Sequence, residues 1–258
     1  MKIISLGSSS KGNCYVISDG ANLIMLECGF SYSYIAGELQ KRGYIPAQLS
    51  GVLISHEHDD HARSWHRMVM HCRVYASGGT IDAFAEKKPS LAAMVTDISP
   101  ETPEDYMSPV YTVGGFDVIS FRTFHNTKEP LGFLIRSRLT GEQLVFAIDT
   151  ANLNYRFSGV EQMMLEANYA EGLLEQQTHL LPELKKRIRH CHMEIGRLCD
   201  YLRGLDLSDC REIYLMHLSD KSSDEYLFYR KVRAVVPEGV KVYILPRGGP
   251  GKERKKRC

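Results

Sequence analysis

Short apolar runs separated by polar turns recur along the whole chain, in two groups divided by a polar, proline-bearing middle. In the first group, Ile3–Leu6, Cys14–Ser18 and Asn22–Glu27 read as strands, because each is a brief apolar stretch bounded by Gly, Ser or Asn. Ser31–Arg42 predicts a helix with Ser31 positioned to cap it and with Gly43 and Pro46 past its end. Val52-Leu53-Ile54 predicts a buried strand, His61–Met70 a helix, Arg73–Ala76 a strand and Thr80–Lys88 a further helix. Pro89 to Pro109 reads as mostly irregular surface with a short strand at Met94–Ile98. The second group comprises Phe116–Phe124, Gly132–Arg138 and Gln143–Ile148, with Thr140-Gly141 as a hairpin turn, and then Met163–Glu166. Glu171–Gln177 and Pro182–Leu202 read as helices, the second long and basic on one face through Lys185, Lys186, Arg187 and Arg189. Glu212–Met216, a helix at Asp224–Val235 and a last strand at Val240–Leu245 complete the pattern. Two groups of strands with helices between them predict one mixed α/β domain, residues 1–247, with two sheets and outer helices. Gly248 to Cys258 is rich in Gly, Lys and Arg and predicts a disordered basic tail.

Composition changes this picture little. The chain has 258 residues, 43% hydrophobic and 24% charged, with a formal net charge of +1, so a sizeable core is available and no strong charge bias selects a partner. No apolar run approaches the roughly 18 residues a membrane span needs, which predicts no membrane partner. The N-terminus turns polar too soon for a signal peptide. Seven cysteines without a Cys-x-x-Cys pair fit reduced thiols and a cytoplasmic location.

The chemistry concentrates where the Val52-Leu53-Ile54 strand ends, in Ser55-His56-Glu57-His58-Asp59-Asp60-His61. His56 and His58 leave an extended backbone on the same side, and Asp60 and His61 follow where the chain turns into a helix. Imidazole and carboxylate together suit Zn²⁺, and also Mn²⁺ or Fe²⁺. A solvated loop would explain the carboxylates but not three histidines in six residues. Other apolar strands also end in potential ligands: His125, Asp149 and His217. The turn Gly7-Ser8-Ser9-Ser10-Lys11-Gly12-Asn13 is either an ordinary strand connection or a phosphate cradle, in which Ser8, Ser9, Lys11 and Asn13 would contact substrate.

His56-x-His58-x-Asp60-His61 after a strand resembles the His-x-His-x-Asp-His signature of the metallo-β-lactamase fold hydrolases. The resemblance implies a four-layer αββα sandwich and two metal ions. By position, one would take His56, His58, His125 and Asp149, and the other Asp60, His61, Asp149 and His217, with Asp149 bridging. Further stretches, Gly7 to Cys14, Glu129-Pro130-Leu131-Gly132-Phe133, Leu165-Glu166-Ala167-Asn168 and His217-Leu218-Ser219, are similar to the YycJ/WalJ-type, exonuclease-like subfamily. Glu27 stands where the family usually has Asp, Asn126 where the subfamily tends to Asp, and Met193-Glu194 where it tends to Leu-Ser. The implied activity is cleavage of DNA phosphodiesters by water activated between two cations, with Zn²⁺ the first choice. Asp60 and His192 are the candidate catalytic residues, His192 also as a phosphate contact, and Glu27 and Asp59 are expected to orient the metal-binding histidines. Alternatives are a small-molecule (cyclic) phosphodiesterase, a thioester or lactam hydrolase of the same fold, or a nucleic-acid-binding protein with a degenerate site.

Overall fold

Strand pairing sorts the chain by position. The computed structural model describes residues 1–102 and 106–249. Within them, strands β1 (Lys2–Ser9), β2 (Gly12–Ser18), β3 (Leu23–Leu26), β4 (Gly51–Leu53), β5 (Val74–Ala76) and β6 (Thr96–Asp97) form one sheet in sequence order. Strands β7 (Tyr111–Val113), β8 (Phe116–Arg122), β9 (Leu131–Ser137), β10 (Gln143–Ala147), β11 (Gln162–Glu166), β12 (Glu212–Met216) and β13 (Lys241–Ile244) form the other, again in sequence order. Each sheet opens with antiparallel hairpins and closes with parallel strands, β3 to β6 and β10 to β13. Strands β8, β10, β11 and β12 therefore run the same way and end on one rim.

Side-chain alternation along these strands produces the layers. Tyr15, Ile17, Ile24, Leu26 and Leu53 of the first sheet meet Phe116, Val118, Phe133, Ile135, Phe146 and Met164 of the second in a dry central layer. The opposite faces, with Val16, Met25 and Val52 on one sheet and Val145, Met163, Leu165, Ile213 and Leu215 on the other, are covered by helices. Over the first sheet lie α1 (Tyr32–Gln40), α2 (Asp59–Ala62), α3 (Trp65–Met68), α4 (Gly78–Ala85) and α5 (Pro89–Ala92). Against the second lie α6 (Glu171–Glu175), α8 (Ile195–Arg203) and α9 (Glu225–Arg233), with Ile195, Leu198, Leu202, Phe228 and Val232 pointing inward, while α7 (Pro182–Cys191) is paired with α6. The result is helices, sheet, sheet, helices, as expected. Burying each such side chain contributes about 2 kcal/mol, and this dry framework lets the strand ends carry buried polar groups. Among the described residues no helix is long and apolar enough to cross a membrane.

Several elements differ from the sequence expectation. The first two strands run on to Ser9 and from Gly12, leaving only Ser10 and Lys11 at the hairpin tip, because Gly7 to Asn13 pair across the hairpin. His61–Met70 is two short helices, α2 and α3, and the region after Pro89 contains the unpredicted α5 and β7, while β6 lies inside the strand expected at Met94–Ile98. Pro182–Leu202 is not one helix: it breaks after Cys191, where His192 is extended (φ −133°, ψ 153°), and restarts at Ile195 with Glu194 accepting from the Gly196 and Arg197 amides. Gly248 and Gly249, expected in the tail, belong to the described structure. The Arg247 carbonyl accepts a 3.1 Å hydrogen bond from the Ser8 amide, and the Gly249 amide donates to Tyr34 Oη at 3.0 Å; residues 250–258 lie outside the described residues.

Candidate metal centre

The strand ends place all seven candidate ligands together. His56 and His58 leave the chain after β4, His125 after β8, Asp149 after β10 and His217 directly after β12, while Asp60 and His61 sit on α2. One ligating atom from each of His56, His58, His125 and Asp149 lies within 4.8 Å of the others, and Asp60, His61 and His217 make a second such group. Asp149 Oδ2 is 3.7 Å from His56 Nε2 and 3.5 Å from His125 Nε2, but also 3.4 Å from His61 Nε2, so one carboxylate oxygen faces both groups. Asp60 Oδ2 is 3.4 Å from His61 Nε2 and 3.6 Å from His217 Nε2.

The ring orientations fit cation binding. Three histidines have Nδ1 engaged from behind: His56 by Ser55 Oγ at 2.9 Å, His125 donating to the Cys191 carbonyl at 3.0 Å, and His217 beside Glu166 Oε1 at 3.0 Å; His61 Nδ1 faces Glu27 Oε2 at 3.4 Å without a hydrogen bond. Each thereby turns Nε2 toward the shared centre, which is how protein metal sites fix the tautomer and aim of a ligating imidazole. His58 instead presents Nδ1, 3.1 Å from His56 Nε2 and 3.3 Å from His125 Nε2. His217 Nε2 is buried without a hydrogen-bond partner, as is Asp149 Oδ1, which lies 2.8 Å from His217 Nδ1 but outside hydrogen-bonding geometry. Buried polar atoms without partners are rare and costly, and a cation in the cluster would satisfy His217 Nε2. The donor set of imidazole nitrogens and carboxylates thus fits two divalent ions.

Electrostatics divide the cluster. Burial pushes His56, His58 and His125 below the usual imidazole range. Burial acts the same way on His61 and His217, but the Asp149 carboxylate overrides it and holds both well above that range. Burial would raise Asp149, yet His217, His61 and His192 hold it well below the ordinary carboxylate range. Glu27, fully buried, is raised by that burial despite its contact with His61.

The loop carrying Asp60 and His61 is fitted closely to its neighbour. A Cβ on Gly29 would lie 1.7 Å from the Asp60 carbonyl oxygen, so the Cys28–Gly29 backbone can pass α2 only as glycine. That passage is tied by the Cys28 amide to the His61 carbonyl at 2.7 Å and by the Ser64 amide to the Cys28 carbonyl at 3.0 Å.

The remaining candidates separate into two sets. His192 stands at the cluster, its Nδ1 2.7 Å from Glu166 Oε1 and its ring 5.5 Å from those of His125 and His217. Glu27 lies behind His61, its Oε2 3.4 Å from His61 Nδ1 without a hydrogen bond, and its Oε1 accepts from the Ser55 amide at 3.1 Å. Asp59 does not orient a histidine: it is exposed on α2 and, with Glu57, Trp65 and Lys88, lines an outer cleft of about 390 Å³. Ser8, Ser9 and Asn13 are buried and occupied. Ser8 Oγ accepts from the His217 amide at 2.8 Å, and Asn13 Oδ1 accepts from the Ser9 amide at 3.1 Å while its Nδ2 lies 3.3 Å from His61 Nε2. Among the four proposed cradle residues, Lys11 alone is exposed, and it faces Asp220 at 3.3 Å. Sequence reasoning gave Glu166 no role. Its buried carboxylate accepts from the Thr150 amide at 2.9 Å and the Met193 amide at 3.0 Å while contacting both His192 and His217. A lone acid closing the apolar Met163–Leu165 strand was the signal for it, the same one that marked His56 and Asp149.

The profile of the Metallo-beta-lactamase superfamily matches residues 9–116. Exodeoxyribonuclease WalJ of Streptococcus pneumoniae is 24% identical over 233 residues, covering 84% of this chain and 81% of its own. Among solved structures, Zn²⁺-bound PqqB from Methylobacterium extorquens superposes with a TM-score of 0.67 at 14% identity, covering 96% of this chain and 98% of that one. The short form of human tRNase Z gives 0.62 at 14% identity, over 95% and 96%. The chain has the fold of those structures, and its match to the superfamily lies in residues 9–116. It is a metal-dependent hydrolase.

Proposed function

We propose that the protein is a phosphodiesterase that removes nucleotides from DNA ends, using two divalent cations, Zn²⁺ foremost. The cations would be held by His56, His58, His125 and Asp149, and by Asp60, His61, His217 and Asp149. Bound there, they would activate water at neutral pH and offset charge gathering on the phosphoryl oxygens. The observation that carries the phosphodiester reading is His192, anchored through Nδ1 to Glu166 with its ring 5.5 Å from the His125 and His217 rings. Cleaving a phosphodiester releases a sugar alkoxide, which needs a proton as it departs. An imidazole fixed by a carboxylate keeps one orientation and offers its second nitrogen to that oxygen. Burial alone would discharge His192, but Glu166 and then Asp149 raise its pKa above the usual imidazole value, which suits a proton donor. Asp60, whose side chain keeps 24% of its surface open to solvent, can hold and orient a water as well as a cation. The names of the WalJ and tRNase Z relatives agree with a nucleic-acid substrate.

Metal content measured beside cleavage of end-labelled linear duplex DNA tests this reading, with wild type and Asp149→Ala each supplied with Zn²⁺ and Mn²⁺. We expect about two metals per chain in the wild type, mononucleotide release, and loss of both in the variant. Two metals without DNA cleavage would transfer the reading to small phosphodiesters. No bound metal under either ion would overturn it.

A further inference from the structure

Helix α7 ends at the metal centre, and its cations are of two kinds. Lys185 and Arg189 are engaged: Lys185 Nζ is 3.1 Å from Glu175 Oε2, and the Arg189 guanidinium pairs with Glu171 at 2.5 Å and with Glu175. These pairs fasten α7 to α6. Lys186 and Arg187 are exposed and, among the described residues, make no ion pair. The C-terminal end of the same helix is fixed to the site at four points. The Cys191 carbonyl accepts from His125 Nδ1, His192 bonds Glu166, and Met193 bonds Glu166 through its amide and the Asn168 amide through its carbonyl. Arg187 lies against the Cys191 thiol, which in turn contacts Asn126 at 3.3 Å, the residue following the ligand His125. The outward cations therefore sit on a rigid element at the rim of the centre.

We propose that Lys186 and Arg187 hold backbone phosphates of a polynucleotide next to the phosphate being cleaved. This rests on the nucleic-acid reading of the site. At 1.5 Å per residue, Arg187 and Lys186 stand about 7 to 9 Å along the helix axis from His192. That span is on the order of two nucleotide steps of a stacked strand, at about 3.4 Å per phosphate. Arg187 supplies a planar fork for one phosphate and Lys186 a mobile point charge for the next. With Lys185 and Arg189 neutralised by glutamates, the basic run predicted from sequence narrows to these two positions. Glu183, in the first turn, is the acid on α7, and it pairs with neither of them.

The test is binding, read separately from catalysis. The full chain is kept in chelator, and a labelled single-stranded oligonucleotide, DNA in one arm and RNA in the other, is titrated by fluorescence anisotropy from low to moderate salt. Lys186→Glu/Arg187→Glu is compared with wild type and with Lys2→Glu/Lys241→Glu. The latter pair makes the same charge change at the strand starts, on the edge opposite the rim. The variant is expected to bind at least tenfold more weakly, and its log–log salt slope to fall by about 0.7 for each phosphate it no longer holds. The control should keep the wild-type slope, and circular dichroism melting should report equal folding in all three. Wild type binding with an unchanged slope in the Lys186/Arg187 variant overturns the ridge and leaves the nucleic-acid reading standing. Wild type binding neither oligonucleotide, while the metal-loaded enzyme hydrolyses bis(p-nitrophenyl) phosphate, overturns both. Binding in one arm only names the polymer the ridge serves.

Discussion

Glu27, Asp149 and His217 have φ values of 62°, 44° and 55°, and they are the non-glycine residues with positive φ among those described. All three leave strand ends for the metal centre. A side chain in this left-handed region costs on the order of 1 to 3 kcal/mol, a cost accepted where the reversal turns a carboxylate or imidazole into the cluster. Asparagine tolerates that backbone better than alanine, so Asp149→Asn and Asp149→Ala should both lose metal and activity, with Asp149→Ala less stable by about 1 kcal/mol. Urea titration of the two metal-free variants checks this, and equal midpoints would remove strain from the account. His192→Ala should lower kcat on DNA by roughly 100-fold or more. On bis(p-nitrophenyl) phosphate, whose leaving group departs without a proton, the loss should be far smaller. Equal losses on the two substrates would mean that His192 does not donate the proton.

At the scale of elements, the interruption between α7 and α8 matters most. The seven candidate ligands stood out in the sequence because each ends or follows an apolar run, and the spacing around His56 is dense enough to stand alone; His192, inside a polar helical stretch, was suggested by the resemblance alone. The break was not legible, since Pro182 to Leu202 holds neither Pro nor Gly at the interruption. What stops the helix is tertiary: the buried Glu166 carboxylate takes the Met193 amide and the His192 ring, and Glu194 caps the restart. Local propensity carries no trace of a partner 26 residues away. Glu166→Gln should therefore preserve the fold but weaken the hold on His192, so kcat on DNA should fall while Kd for the oligonucleotide stays within about twofold of wild type. The close approach at Gly29 was invisible for the same reason, because proximity to α2 leaves no mark in periodicity. Gly29→Ala should displace α2 and, with it, Asp60 and His61. Metal stoichiometry near one per chain, with melting lowered by several degrees, is the expected reading.

Across the whole molecule, the candidate ligands divide between the sheets. His56, His58, Asp60 and His61 follow strands of the first, and His125, Asp149 and His217 follow strands of the second. Bound cations would join the two halves across the rim, adding to the apolar layer between them. At ion concentrations 100-fold above Kd, this linkage is worth about 2.7 kcal/mol per site. Chelation should then lower the melting temperature by roughly 5 to 10 °C, while the melting of Asp149→Ala, which lacks the shared oxygen, should barely respond to chelator. A wild type that melts alike with and without chelator would show that the apolar layer alone docks the sheets.

The same division has a consequence for a chain still leaving the ribosome. Its first sheet can form with four of the proposed ligands, yet each cation site also draws on residues that come later, the last of them His217. On this ligand set a nascent or truncated chain holds no complete centre. On that proposal, hydrolytic capacity would appear only when the closing strands reach the rim.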